Sequence, residues 1–338
     1  MPAETTLTLE NLAMNRSSLK CILFASLFAS TSCCVQASSS DSDVNFTGPL
    51  ITPNPMNLPQ GTLLIEPYLL YYKSDSVYDS NGNEQPVHPG LRQWQLSLPM
   101  FYGITDRFQV QATLGAVHSM SGNMSTDGWK VGDTSVGAQY LLLSPGQDGK
   151  RPAVSVFYAH RFPTGNYDQL DENPFNANGN GANIDTLSLR AQQIVWLPNK
   201  RPLRVRASLS YNLPPSGVNV NGYSTYGTPK DFHGIARLGQ GFGAAIGTEY
   251  SINSQWVLAL DLTYDRTGSS QLRGVTNGGD KLTLFERRTS SRNVYSLAPA
   301  AEYNFNDRFG LIAGVQLSFA GRDNDAFMTP MAAFNMAF

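Results

Sequence analysis

Trp256-Val-Leu-Ala-Leu-Asp-Leu-Thr-Tyr264 separates into two faces when read at every second residue. Trp256, Leu258, Leu260, Leu262 and Tyr264 share one face, and Val257, Ala259, Asp261 and Thr263 share the other. Side chains alternate across a β-strand, so this is a strand with one oily side and one polar or small side. Leu203 to Asn212 and Phe309 to Phe319 repeat the pattern. Alternation alone fits a water-soluble sandwich as well as a barrel with its oily face in lipid, so the connections must decide.

Twelve strands are expected, at 62–72, 91–102, 107–117, 132–143, 152–162, 184–197, 202–212, 236–250, 255–265, 293–304, 308–319 and 327–338. Short turns alternate with longer polar connections at 73–90, 118–131, 163–183, 213–235, 266–292 and 320–326. An even strand number, with short turns at one end and long loops at the other, marks a transmembrane antiparallel up-and-down β-barrel of a bacterial outer membrane. Three short turns repeat one another: Tyr102-Gly-Ile-Thr-Asp-Arg-Phe108, Tyr250-Ser-Ile-Asn-Ser-Gln-Trp256 and Tyr303-Asn-Phe-Asn-Asp-Arg-Phe309. Each has an aromatic on either side of a polar turn, where a periplasmic aromatic girdle would lie, although cross-strand pairing in a soluble hairpin gives the same pattern.

The N-terminal region reads differently. Arg16 and Lys20 precede the apolar run Cys21 to Ser30, and Val35-Gln-Ala37 offers a cleavage site, so residues 1–37 are expected to be a secretory signal peptide, with translation starting at Met14. Residues 38–61, with Pro49, Pro53, Pro55 and Pro59, are expected to form an extended periplasmic lead-in, and 62–338 the barrel. Cys21, Cys33 and Cys34 are the only cysteines, which excludes a disulfide framework, a thiolate metal site and a cysteine nucleophile from the rest of the chain. With 24 basic and 26 acidic residues there is no footprint for nucleic acid. Phe334, Met336 and Phe338 lie on one face at the C-terminus, as expected of a signal read by the barrel insertion machinery.

Several segments resemble the meta-pathway phenol-degradation, or MetA-type, family of outer-membrane proteins. They are Thr52-Pro-Asn-Pro-Met-Asn-Leu-Pro-Gln-Gly61, Tyr102 to Phe108, Val131-Gly-Asp-Thr-Ser-Val-Gly-Ala-Gln-Tyr140 and Phe162-Pro-Thr-Gly-Asn166, in that order. The resemblance implies a barrel passing small apolar or aromatic compounds, and it supplies no catalytic residues.

With the oily face in lipid, the register turns Glu66, Gln93, Gln95, Gln109, Gln111, Asp133, Gln139, Arg190, Arg204, Arg206, Glu249, Asp261 and Glu302 into the lumen. Arg190, Arg204, Arg206, Glu249, Asp261, Glu302, Asp133 and Glu66 are the candidate lining and selectivity residues. They form either a transverse field across a constriction or a self-paired polar core. Tyr68, Tyr72 and Trp196 are placed in or near the lumen rims, where an aromatic ligand could stack. Gly239, Gly241, Gly243 and Gly247 thin the wall or permit bending. Asp168, Asp171 and Glu172 sit in a loop that would be either solvated or an acidic ion-bridging patch.

Channel function for a small-molecule permeant is the first reading. A closed barrel acting through its loops as adhesin, receptor or structural protein is the second. A wall-mounted hydrolase is the third, but Ser119 and Ser121 stand one and three residues from His118, on the opposite face. No enzyme activity, cofactor or metal is expected, and the expected surroundings are outer-membrane lipid and lipopolysaccharide.

Overall fold

A computed structural model describes residue 46 and residues 48–146, 151–277 and 281–338. The signal peptide, the start at Met14 and the first part of the lead-in lie outside the described residues.

Twelve antiparallel strands close into a barrel. β1 is kinked, running Leu63–Ile65 and then Tyr68–Tyr78; β2 is Glu84–Thr105, β3 Phe108–Ser121, β4 Thr134–Leu143, β5 Ala153–Phe162 and β6 Ile184–Trp196. β7 is Pro202–Asn212, β8 Gly241–Ser251, β9 Trp256–Thr267, β10 Arg292–Asn304, β11 Phe309–Arg322 and β12 Asn324–Ala337. β12 pairs back onto β1 through Leu64↔Ala337 and Leu69↔Ala332, which removes both sheet edges.

The alternation in β9 is realised as read. Leu258, Leu260 and Leu262 are each about half exposed on the outer wall, whereas Val257 and Asp261 are fully buried inside. An apolar wall around a closed barrel leaves no backbone group unpaired in hydrocarbon, which is the requirement for spanning a bilayer. The turn repeat also has a local cause. Asn253 Oδ1 accepts from Gln255 N at 2.9 Å and Trp256 N at 2.7 Å, and Asn306 Oδ1 accepts from Arg308 N at 2.9 Å and Phe309 N at 3.0 Å. These hairpins bring the flanking aromatics together, with the Trp256 and Tyr303 rings 4.8 Å apart.

The opposite end departs from expectation. The presumed loops 73–90 and 320–326 are mostly strand. Asp79 tightens the first hairpin by accepting from Asn81 N at 2.8 Å and Asn83 N at 2.9 Å, and Asp323 turns the other in one residue with φ 49°. Their polarity misled because both strand faces stand in water above the membrane.

Segments 213–235 and 266–292, expected as loops, contribute to a separate four-stranded sheet of Val218–Asn221, His233–Arg237, Gln271–Asn277 and Leu282–Arg288. Val218, Val220, Phe232, Ala236 and Leu272 form its core against Ala182, Tyr167 and Tyr226. The expected strand 236–250 is therefore two strands. The break falls beside Gly239, where a Cβ would collide with the backbone of Gly268, so the glycine lets two chains cross at the neck of the sheet.

Candidate functional site

Residues 48–61, the described stretch of the segment expected as a lead-in, lie in the lumen of the barrel. From Gln60, beside the β2–β3 turn, the chain rises inside the barrel to Pro53 and Ile51, and it descends again until Phe46 lies 4.4 Å from the Arg204 guanidinium near the periplasmic end of β7. Leu50, Thr52, Asn54 and Leu58 are all buried.

Polar wall residues hold this plug by its backbone. The Asp261 carboxylate accepts from Ile51 N at 3.2 Å, Thr52 N at 3.0 Å and the Thr52 hydroxyl at 2.6 Å. Gln109 accepts from Leu58 N at 2.8 Å, and Gln139 Nε2 donates to Asn57 Oδ1 at 2.9 Å. A chain rich in proline makes no ladder of its own, so its remaining amides and carbonyls need such partners when buried. On the other side Leu50 enters an apolar socket of Tyr68, Leu70, Ala298, Ile312, Met331 and Ala333. Two glycines open the seat. A Cβ on Gly314 would stand 2.6 Å from Leu50 Cδ1, and one on Gly247 would stand 2.9 Å from Thr52 Cβ.

The candidate charges face inward but do not oppose one another across an open gap. Arg204 is fully buried and binds Glu249 on the neighbouring strand through two bonds, one of them 2.6 Å from Nε to Oε2. Arg206 Nε also lies 3.3 Å from Glu249, and its Nη1 donates to the Thr52 carbonyl at 3.4 Å. Arg190 donates to Gln139 at 2.6 Å and sits 3.8 Å from the Phe157 ring centre. Glu66 and Glu302 are buried in the same half of the barrel. Arg204 and Arg206 thus pair with Glu249, and Asp261 anchors the plug. Asp133 is not with this group: it lies at the outer rim, accepting from Gly165 N at 3.0 Å and stapling the 163–183 loop.

Above the plug the outer half of the lumen is a vestibule of about 240 Å³ floored by Ile51 and Pro53. Its lining is mixed. Tyr72, Leu91 and Phe327 on β1, β2 and β12 stand among Gln93, Gln95 and Asp325, and Thr186, Ser188, Ser208 and Ser210 on β6 and β7 stand beside Arg190. Gly243 keeps the hydroxyl side open, since a Cβ there would stand 2.6 Å from Ser210 Oγ. Phe175 and Ala177 of the 163–183 loop lean over the mouth, a contribution that loop polarity concealed in the sequence.

Of the three aromatics singled out, Tyr68 packs on the plug, Tyr72 lines the vestibule, and Trp196, which shares the register face of Arg190 and Gln192, is exposed at the periplasmic rim. Asp168 and Asp171 are engaged by Asn221 N at 3.0 Å and Asn176 Nδ2 at 2.9 Å, and among the described residues no three His, Cys, Asp or Glu converge as a metal site. His118 bonds the Gly128 carbonyl at 3.0 Å, while Ser121 bonds the Pro89 carbonyl, so they are not brought together.

Residues 93–324 match the family described as "Putative MetA-pathway of phenol degradation". Among solved structures, an outer membrane channel from Pseudomonas putida F1 is similar at a TM-score of 0.61 and 17% identity, over 90% of this chain and 100% of that one. The translocator domain of autotransporter NalP from Neisseria meningitidis gives 0.44 at 14% identity, over 83% and 90% of the two chains. The TodX monoaromatic hydrocarbon channel, as a deltaS2 mutant, gives 0.38 at 12% identity, over 83% and 90%. No curated protein matches the sequence. The first likeness carries the barrel fold.

Proposed function

Because the chain belongs to the MetA-pathway phenol-degradation family and folds as an outer-membrane β-barrel, we propose that it is a channel for passive passage of small molecules, with hydroxylated aromatic compounds as the favoured class. The mixed lining of the vestibule carries this reading. Tyr72 and Phe327 offer apolar surface to a ring, and Ser208 and Ser210 offer hydrogen-bond partners to a hydroxyl, so the passage holds both kinds of contact such a solute needs. The buried Arg204, Arg206, Glu249, Asp261, Glu302 and Glu66 then act as the seat of a closable plug, with Arg190 at the vestibule floor and Asp133 fixing the outer loop. Passage needs no chemical step, and the separated His118 and Ser121 are given none.

Phe334, Met336 and Phe338 line the outward face of β12 at its periplasmic end and are proposed as the element that the insertion machinery reads. A closed barrel acting through its extracellular sheet is the second reading, favoured by the filled lumen.

Swelling of liposomes containing the refolded chain tests the first reading. Phenol is expected to enter faster than benzoate, and Ser208→Ala/Ser210→Ala should slow phenol while sparing toluene. If a variant lacking residues 46–57 folds yet passes none of the three, the channel reading fails and the second takes its place.

A further inference from the structure

Outward-facing arginines gather on one sector of the extracellular end. Phe242, Arg266, Asn293 and Arg322 are cross-strand neighbours at the outer ends of β8 to β11, immediately beyond the aromatic row Tyr264, Tyr295 and Phe319. Arg266 and Arg322 are both exposed. Arg237, Gln271 and Arg288 are cross-strand neighbours in the extracellular sheet. Arg237 and Arg288 each lie four residues from a barrel strand that begins at Gly241 or Arg292, or roughly 13 Å of extended chain.

The three sheet strands with these residues hold four arginines and one glutamate, although the whole chain is net negative by two. That glutamate, Glu286, is taken by Arg273 at 3.0 Å, and Asp323 is the carboxylate in the turn beside Arg322. Arg237, Arg266 and Arg322 make no ion pair among the described residues, and Arg288 shares only the field of Glu286, which Arg273 already holds. The rim at β1 and β2 differs, because Arg92 and Lys73 there share Asp75 at 2.6 and 3.2 Å.

Direction follows from the sheet's core. Phe232 and Leu272 turn toward Tyr167 and Tyr226 in the loops above the lumen, so Arg237, Arg273 and Arg288, on the alternate face, turn away from the pore and toward the surrounding leaflet. Polar groups just beyond an aromatic belt stand at headgroup level. The outer leaflet of this membrane presents phosphates on the glucosamine headgroup of a glycolipid, and planar guanidinium groups pair with phosphate oxygens two at a time. We propose that Arg237, Arg266, Arg288 and Arg322 form a docking surface for the phosphorylated headgroup of lipopolysaccharide. The inference rests on outer-membrane placement and not on what the channel carries.

The test is binding of lipid A to the refolded chain in zwitterionic micelles, read by native mass spectrometry. Bisphosphorylated lipid A is expected to bind at least about tenfold more tightly than its dephosphorylated form, since each basic group near an anionic surface adds several-fold. Arg237→Gln/Arg266→Gln/Arg288→Gln/Arg322→Gln should abolish that preference, and Arg92→Gln should keep it. Equal binding of the two lipids, or an unchanged preference in the fourfold variant, overturns the proposal. Competition by millimolar inorganic phosphate alone would assign the surface to free phosphate and overturn it as well. Should the fourfold variant fail to show heat-modifiable mobility, Arg237→Gln/Arg288→Gln, confined to the sheet, is read against the same outcomes.

Discussion

Replacing Leu50 by alanine should open the pore. Leu50 is fully buried between Tyr68, Ala298, Ile312 and Ala333, on a wall whose hydrogen-bonded strands cannot close over a void. A leucine truncated to alanine in such a socket loses about 3 kcal/mol, which is roughly a 150-fold shift in the equilibrium between seated and unseated plug. If the plug is unseated about 1% of the time in the natural chain, the variant would be unseated about 60% of the time. The barrel itself keeps every strand pair, so heat-modifiable gel mobility should be unchanged. Single-channel recording in planar bilayers reads the effect as open probability, with Leu50→Met, which conserves volume, as the near-silent control. An open probability in Leu50→Ala within twofold of the natural chain, in a folded barrel, would refute the argument that the socket holds the plug.

Gly247→Ala should act in the same direction, because its methyl would stand 2.9 Å from Thr52 Cβ and 2.8 Å from an Asp261 oxygen; open probability again reports it. Leu260→Arg should cost roughly 2–4 kcal/mol by placing a charge in hydrocarbon, whereas Asp261→Asn, facing the lumen, should fold normally but hold the plug less firmly; urea unfolding in micelles separates the two. Arg204→Met should destabilise by about 3–5 kcal/mol because Glu249 loses its bidentate partner in a buried site, and the same unfolding midpoint measures it. In the first outer hairpin, the Asn83 and Asn81 amides hold the Asp79 carboxylate below its ordinary range. A depressed carboxylate stabilises above its unfolded value and loses that contribution as pH falls, so protection of the Asn83 amide from hydrogen exchange should drop below about pH 4, and Asp79→Asn should lack that dependence.

The wall of the barrel was legible because lipid imposes a strict two-residue period on it. Leu258 and Leu260 have no other reason to alternate with Ala259 and Asp261, and the Asn253 and Asn306 turns announce themselves in three similar heptapeptides. Beyond the bilayer that constraint disappears. Lys73 to Tyr78 and Glu84 to Gly90 have water on both sides and read as loop while pairing as strand. The extracellular sheet carries too few apolar residues per strand to stand out, and its core draws on Ala182 and Tyr167 from another connection. The plug was invisible for a different reason. Its partners are far away in the chain, from 51 residues for Leu58 with Gln109 to 209 for Thr52 with Asp261, and polar groups that bind a proline-rich backbone look the same in sequence as groups that line water. Asp261 is buried inside the barrel, and its contacts come from the segment opposite it.

The path of that segment also limits how the channel can work. Phe46 and Gln60 both lie toward the same mouth, with Pro53 at the summit, so the segment is a loop pushed into a tube and not a thread drawn through it. Such a loop leaves the way a finger leaves a glove, without passing a chain end through the wall and without parting β1 from β12. Its summit faces the exterior, so an arriving solute presses on the bend, while anything that grips the two limbs does so from inside the cell envelope. On the proposed channel function, a solute therefore meets the plug from one side and its two limbs are reached from the other.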